Sequence, residues 1–411
     1  MEVSLDQTID YKQSVKRDSD YKFTKIIQNT GSETVVISNS GQVSTFDLPT
    51  VGFNLAKSYI NFSQTSVTQG ADNMSNLFRH TPPWQRLELF TRSGTHLMDC
   101  TNFAQAFLAM GQRNKSVEEY HSTNQDILIK TSINDLATKK LNTSVANTAQ
   151  TIQWRIGGKE LYNTVMSLDK TVILGEAVIL RITWRSAIEQ GYHTNSNNAT
   201  VIALTGNITI DNLGLYLAQE TNGSVLADLN QVVSTRGMSM LIPYTHVYKT
   251  NIPAATSHAI SLRFSRGHGI SLERVYSLFL TGDEEKSTQF DASLTAGQFT
   301  SFYTLLDSKR VQDFDVNVAS TDYSWTRQEE QAGRVVGLQP TNDTTQFAWT
   351  DNWCGDDDQC AVRQHVGGLD LSRERKYDLY VQCNGASTVN YYSVAVCQKQ
   401  LMVSPSGVQV M

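Results

Sequence analysis

The sequence predicts an all-β protein of two tandem antiparallel sandwiches with a few short helices and long surface loops. Three observations carry that expectation. Short runs in which apolar and polar residues alternate recur along the chain. Long polar stretches separate them, and apolar spacing of the helical kind is confined to a few places. Two sandwiches also fit a length of 411 residues.

The elements follow in order. Residues 1–20 alternate charges without apolar periodicity, so they read as an N-terminal arm, either a loose terminus or a segment ordered by a partner. Strand-like text begins at Val35-Val36-Ile37 and continues, past a turn at Asn39-Ser40-Gly41 and Pro49, to Tyr59-Ile60-Asn61-Phe62. In the stretch Thr81 to Asp99, Pro82 and Pro83 halt what precedes, and Leu87 and Leu89 alternate with Arg86 and Glu88. A polar turn at Arg92-Ser93-Gly94 closes that strand. Phe103, Ala106, Phe107 and Met110 then stand at helical spacing. Asn114 to Asn147 is a polar excursion, and strands resume at Thr151 to Arg155 before a Gly157-Gly158 turn.

Val178, Leu180, Ile182 and Trp184 form one face of a period-two strand whose other, wet face is Arg181, Thr183 and Arg185. Between Ile208 and Leu217 the apolar phase switches, which predicts a bulge near Asp211-Asn212. Val225, Leu226, Leu229, Val232 and Val233 make an apolar helical stripe that starts at Gly223-Ser224 and ends at Gly237. This helix reads as the joint between domains, or as an ordinary connector within one. Further strands are expected at Met240 to Val247, Ala259 to Phe264, Leu272 to Leu280, Phe314 to Val318, Tyr377 to Cys383 and Tyr392 to Val396. The domain divisions are then 1–20 for the arm, 21–222 for the first sandwich and 223–237 for the connecting helix. The second sandwich takes 238–402, and 403–411 is a tail.

The pattern around Thr81–Asp99 is echoed near Leu272–Thr281, where Arg274 sits in an apolar strand much as Arg86 does. The two stretches lie roughly 190 residues apart, the size of one domain. That spacing favours one fold used twice.

Composition limits function. With 40% hydrophobic residues the chain can bury sizeable cores, and a net charge of −6 argues against a surface built to grip phosphate backbones. The N-terminus lacks the apolar core of a secretory signal, and no run approaches the ~20 apolar residues of a membrane span. Five cysteines, Cys100, Cys354, Cys360, Cys383 and Cys397, do not make a disulfide-stapled scaffold, although Cys354 and Cys360 can close a small loop. A reducing compartment is the expected place of folding.

Candidate chemistry is thin. The histidines, His80, His96, His121, His193, His246, His258, His268 and His365, are scattered without metal-ligand spacing. The acidic run Asp356-Asp357-Asp358 departs from the EF-hand pattern and reads as a solvated loop. Glu118-Glu119 and Glu284-Glu285 are adjacent acids that do not face one another across a cleft. No nucleophile elbow or phosphate-cradling loop is present, and Ser265-Arg266-Gly267-His268-Gly269 reads as a hairpin turn. No catalytic, cofactor-binding or metal residue is therefore assigned, and the protein is expected not to be an enzyme.

The segment Leu48-Pro49 through Phe62, followed by Pro82-Pro83-Trp84-Gln85-Arg86-Leu87-Glu88-Leu89-Phe90-Thr91-Arg92-Ser93-Gly94, resembles double jelly-roll major capsid proteins. These are hexon-like shell proteins of tailless icosahedral DNA viruses, the polinton-like group being most similar. Ile242-Pro243-Tyr244, Leu272-Glu273-Arg274-Val275-Tyr276 and Gly367-Gly368-Leu369-Asp370-Leu371-Ser372 resemble the family's second roll. The resemblance implies two eight-stranded antiparallel jelly rolls per chain and a homotrimer of pseudo-hexagonal outline. It implies self-association as the function, in the virion, after folding and assembly inside the host cell. Minor capsid and penton proteins would be partners, as would an inner membrane met by the arm through Lys12, Lys16 and Arg17; no specific nucleic-acid binding is expected. Two other readings stand beside it: a twin jelly-roll enzyme of secreted type, and a carbohydrate-binding or spike protein using Trp349 and Trp353 as an exposed platform.

Overall fold

The computed structural model describes residues 19–37, 41–67, 74–76, 82–107, 128–129, 141–143, 149–158, 161, 163–186, 192–194, 200–202, 208–280, 299–317, 348–353, 367–383 and 388–411. The expectations for residues 1–18, the Cys354–Cys360 loop, Glu118-Glu119 and Glu284-Glu285 lie outside the described residues.

The first unit begins with β1 (Tyr21–Ile26), β2 (Val35–Ile37), β3 (Val43–Leu48), β4 (Phe53–Val67), β5 (Met74–Asn76), β6 (Trp84–Thr91) and β7 (His96–Thr101). It continues through β8 (Leu128–Ile129), β9 (Leu141–Thr143), β10 (Ala149–Gly157), β11 (Thr171–Val172), β12 (Val178–Trp184), β13 (Tyr192–Thr194), β14 (Thr200–Ile202) and β15 (Ile208–Glu220). Helix α1 (Gly223–Thr235) leads into β16 (Met238–Ile252), β17 (Ser257–Phe264), β18 (Ser271–Leu280), β19 (Phe299–Leu306), β20 (Lys309–Arg310) and β21 (Val316–Asn317). The chain closes with β22 (Ala348–Asn352), β23 (Leu369–Asp370), β24 (Arg375–Cys383), β25 (Val389–Ser404) and β26 (Gly407–Val410).

The first unit faces a sheet of order β1-β15-β4-β10 with one of order β3-β12-β6-β7. The second pairs β16-β25-β18-β22 with β17-β24-β19-β20. Counting these eight strands along each unit, both units read 1-8-3-6 and 2-7-4-5. That is the double Greek key of a jelly roll, written twice. The repeat expected from the sequence is present, but its register differs from the echo. Arg86 lies on β6, the fourth strand of its unit, whereas Arg274 lies on β18, the third; the counterpart of β6 is β19. Alternation marks any half-buried strand alike, so it identifies a strand without identifying which one.

Local chemistry explains the individual elements. On β12, Val178, Leu180, Ile182 and Trp184 are buried while Arg181 and Thr183 are only partly so, as the period-two reading requires, but Arg185, expected on the wet face, is buried just past the end of the strand. In β15 the pairing with β4 shifts between Asp211 and Gly214, and Asn212 takes φ 55°, so the bulge reverses the inward phase. Helix α1 is capped by Asn222, whose side chain accepts the Ser224 and Val225 N–H groups, and it buries Val225, Leu229 and Val233. Gly237, at φ 73°, releases the chain into β16. Residues 103–107 are helical and bury Phe103, Ala104, Ala106 and Phe107.

Two expectations change. Ser265 to Gly269 is no hairpin, because β17 and β18, which it joins, belong to different sheets. It is a corner between layers, and Gly269 is needed there: at φ 155° a Cβ would stand 2.4 Å from the Gln398 carbonyl oxygen. Residues 403–411, read as a tail, are the end of β25 and the hairpin strand β26, which buries Val403 and Val408.

The two interiors are unequal in extent. One apolar cluster fills the first sandwich around Phe62, Trp84, Trp154 and Trp184 and runs on into Met240, Ile242, Tyr276, Val394, Val396 and Leu401 of the second unit. A separate cluster around Phe302, Trp349, Leu379 and Tyr391 fills the second sandwich. The two units are therefore joined by a continuous apolar core.

Candidate functional site

Charged groups gather on the outward face of β6, β7 and β12. Register places Glu88 opposite both Asp99 and Arg181. Arg181 Nε and Nη2 each donate to Glu88 at 2.6 Å, and Arg86 Nε and Nη2 donate to Asp99 at 2.8 and 2.7 Å. Arg86 Nη2 also lies 3.1 Å from Glu88 Oε1, which links the two forks. Glu88 is 1% exposed while each guanidinium side chain is 36% exposed. The hydrogen bonds it donates to Asp99 raise the Arg86 pKa, and those donated to Glu88 raise that of Arg181. Burial pushes Asp99 up, but the bonds and charge of Arg86 outweigh it and hold the carboxyl below its ordinary value.

Glu88, His96 and Asp99 present ligand atoms within 4.8 Å of one another, the closeness a metal ion requires. Both carboxylates, however, already accept bidentate guanidinium bonds, so a divalent cation would compete with two fixed positive charges. The arrangement is an ion-pair ladder bracing three strands. Arg86 and Glu88 thus serve architecture. Arg92 is exposed on the hairpin turn, and Arg274 is buried elsewhere, donating to Asn352 Oδ1 at 3.1 Å.

Beside the ladder, across the joint, the fold brings together two histidines that lie apart in the sequence. His246 Nε2 donates to the His268 carbonyl oxygen at 2.9 Å, and the rings stand 5.1 Å apart. Burial lowers the His246 pKa to about 4, so the imidazole is neutral near pH 7. His268 Nδ1 accepts the Ser265 N–H at 3.1 Å, and the Ser265 hydroxyl lies farther off at 3.5 Å. That nitrogen holds a turn instead of activating a hydroxyl. Burial raises the thiol of Cys397 to about 12 and that of Cys100 further, which keeps both protonated. These two imidazoles and two thiols are thus held in structural roles.

The expected aromatic platform is overturned. Trp349 is 0% exposed, stacked edge-on against Phe302 at 4.6 Å in the second core. Trp353 is half-buried against Tyr377. Trp349, Thr350 and Asp351 of β22 are all buried, so the strand is covered on both faces and Trp349 points inward.

Tyr59 stacks on Tyr216 at 4.8 Å beneath Arg155, and Tyr303 stacks on Tyr380 at 4.9 Å beneath Arg310, one such pair on each unit. Phe23, Ile27, Val36 and Val43 are 41–51% exposed along β1, β2 and β3.

No protein-family profile and no curated protein matches the chain. Solved structures do. The chain is similar to the quasi-atomic PBCV-1 virus capsid, with a TM-score of 0.63 and 11% identity over 96% of this chain and 97% of that one. The Faustovirus major capsid protein gives a TM-score of 0.55 at 9% identity over 95% and 91% of the two chains. The mavirus major capsid protein gives 0.53 at 10% identity over 97% and 92%. The fold is that of the double jelly-roll major capsid proteins. The likeness runs over nearly the whole chain, so it includes both rolls and the helix α1 between them. In a double jelly-roll, the ladder of Arg86, Glu88, Asp99 and Arg181 stiffens the first roll where it meets the second. No single spacing in the sequence brings these four together; the alternation on β6 and β12 does mark Glu88 and Arg181 as sharing outward faces.

Proposed function

We propose that this chain is a major capsid protein that self-associates into trimers and then into an icosahedral virion shell. The observation that carries the reading is the same eight-strand order formed twice in one chain, with a shared apolar core fixing one roll against the other. A chain with two similar rolls supplies two near-equivalent positions to a ring, and closed rotational symmetry turns such chains into capsomers. Solved structures of the same fold are those of a virus capsid and of major capsid proteins, which supports a shell role and a virion location.

In this reading the working units are the first roll at 21–222, the linker helix at 223–237 and the second roll from 238, with 403–411 joined to it. Function resides in surfaces, not in a reaction centre. The arm at 1–20 meets a minor capsid protein or an inner membrane, and penton proteins close the shell. Burial of Trp349 weakens the carbohydrate-binding alternative, and the committed histidines, thiols and carboxylates weaken the enzymatic one.

Light scattering tests the reading. The purified chain is expected at three times its 45.8 kDa mass and, at higher concentration, as shells in electron micrographs. A stable monomer that never assembles would overturn it. Deleting Met1 to Asp20 is expected to leave trimers intact while impairing particle formation; normal particles would remove the arm from assembly.

A further inference from the structure

We propose that Thr304 and Gln312 join in an ester cross-link by self-reaction inside the second roll, with Asp351 carrying the proton and ammonia as the leaving group. This is a single self-modification, not a turnover, and it does not depend on the capsid reading.

The three side chains come from separate stretches and meet in the core. Thr304 lies on β19, Gln312 follows β20, and Asp351 lies on β22. They are 0%, 5% and 0% exposed. Thr304 Oγ1 is 3.0 Å from Gln312 Oε1 and 3.3 Å from Asp351 Oδ1, so one hydroxyl proton has two acceptors. Turned towards Asp351, the hydroxyl oxygen presents a lone pair to the carboxamide, whose carbon is one bond from Oε1. Backbone pairing holds this register: Leu305 faces Arg310 across the hairpin, and the Val311 N–H donates to the Thr304 carbonyl at 3.0 Å. An alcohol, a base and an acyl group held together away from water are the parts of an acyl transfer.

Asp351 is fixed for proton transfer. Tyr377 Oη donates to Oδ2 at 2.6 Å, which orients the carboxyl and leaves Oδ1 towards Thr304. The Trp349 and Gln312 side chains also act on this carboxyl and favour its ionised form. Burial outweighs them and raises its pKa, so the carboxylate is a stronger base than usual and its acid form can hold the proton during the reaction.

The step balances without a co-reactant. Thr304 Oγ1 bonds to Gln312 Cδ as its proton passes to Asp351. The Cδ–Nε2 bond then breaks as Asp351 returns that proton to the nitrogen. One ester and one ammonia result, and the carboxylate is restored. Ammonia has a short way out, since Asp313 next along the chain is exposed, and its protonation in water draws the reaction forward. The bond fastens a hairpin whose turn residues, Asp307 and Ser308, stand in left-handed backbone at φ 50° and 67°.

Trypsin provides the test, because Lys309 and Arg310 lie between the two residues. The full chain, incubated in mildly alkaline buffer, is expected to become lighter by one ammonia. Its tryptic peptides bearing Thr304 and Gln312 are expected to stay joined until hydroxylamine cleaves the ester. Thr304→Ser keeps a hydroxyl and should still join, whereas Thr304→Val and Gln312→Glu should each give separate peptides. Asp351→Asn should slow joining by about 100-fold or more. If Asp351→Asn does not fold, Tyr377→Phe replaces it: loss of the bond to Oδ2 raises the Asp351 pKa, so the pH midpoint of the joining rate should move up. Peptides of the unaltered chain that separate with no ammonia lost overturn the cross-link, and joining in Thr304→Val or Gln312→Glu overturns the assignment of its two ends. An unchanged rate in Asp351→Asn, or an unmoved midpoint in Tyr377→Phe, overturns the role of the carboxyl.

Discussion

The two rolls share a strand order and differ in where they keep their ionisable chemistry. In the first, the interior is aromatic: Phe62 lies 5.2 Å from Trp184, 5.9 Å from Trp154 and 6.2 Å from Trp84, ring centre to ring centre. The Trp154 and Trp184 N–H groups donate to Gln64 Oε1 at 3.1 Å and Ser44 Oγ at 2.9 Å, and the ladder's charges lie on the face of the sheet turned away from these indoles. The second roll puts an acid inside. Asp351 is fully buried, accepting from Tyr377 Oη at 2.6 Å and from Thr304 Oγ1 at 3.3 Å. Identical topology has thus been built around an apolar wall in one case and a polar knot in the other. What the two share is alternation and turn placement, which is what sets strand order; the identity of the core groups is free to vary if volume and hydrogen bonds are met.

The largest test of that contrast is Trp154→Ala. Removing a wholly buried indole should cost about 3–5 kcal/mol, read by denaturant unfolding. Because the apolar cluster crosses the joint, both rolls are expected to unfold in one transition that moves as a whole. A second transition that ignores the substitution would break the idea of a shared core.

Next in size is Asp351→Ala, which takes the buried acceptor from the Tyr377 hydroxyl, while Thr304 keeps Gln312 Oε1 at 3.0 Å, and should cost about 2–3 kcal/mol. Asp351→Asn keeps an acceptor and should cost less. Burial raises the Asp351 pKa despite the hydrogen bonds it accepts. A carboxyl whose folded pKa lies above its unfolded one binds more protons when folded. Its contribution is therefore complete below the ordinary carboxylate pKa and is lost as pH rises towards the raised value. Unfolding free energies of the unaltered chain and of Asp351→Asn, measured across that window, should converge as pH rises. Parallel curves would mean that the carboxyl is not protonated on folding.

How much of this was legible follows from what alternation can carry. Val178 to Trp184 and Tyr377 to Val381 each have one clear inward face, and both were readable as strands with a wet and a dry side. The helix at 223–235 and the bulge at Asp211-Asn212 were equally open, because a phase change is itself a pattern. Strand β22 was not. Trp349, Thr350 and Asp351 are all buried, so neither face shows a polar rhythm, and an acid beside a tryptophan looks like surface. The signal lay in spacing: Trp349 and Asp351 are two apart and share a face, so a buried Trp would have carried the Asp inward with it. The His246–His268 approach was invisible for another reason, since a corner between sheets, not a hairpin, creates it.

The ladder of the first roll should respond to acid in the opposite sense. Glu88→Ala removes the buried acceptor of two guanidinium groups and should cost about 2 kcal/mol, moderated because both arginines are partly in water. Asp99, with its pKa held low in the fold by Arg86, contributes stability above the ordinary carboxylate pKa that is lost as pH falls towards the lowered value. Asp99→Asn should therefore flatten the acid limb of the stability profile, where Asp351→Asn flattens the limb above the ordinary carboxylate pKa. Were both substitutions to act on the same limb, the contrast between the rolls would fail.

The smallest effect discriminates most finely, because it compares equivalent turns. The hairpin between the fourth and fifth strands uses Gly94 at φ 96° in the first roll, but Asp307 at φ 50° and Ser308 at φ 67° in the second. Side chains in the left-handed region cost roughly 1–2 kcal/mol each, against about 0.5–1 kcal/mol for the extra freedom a glycine loses. Asp307 has a reason to be there: its carboxylate accepts the Lys376 N–H at 3.0 Å and an Arg375 Nη1 bond at 2.6 Å. Ser308 shows no such anchoring among the described residues. Ser308→Gly is therefore expected to raise stability by about 0.5 kcal/mol, whereas Asp307→Gly should lower it by releasing Arg375. Both are measurable as shifts in the thermal midpoint. If the two glycine variants moved it in the same direction, the carboxylate would not be what holds this turn in its left-handed form.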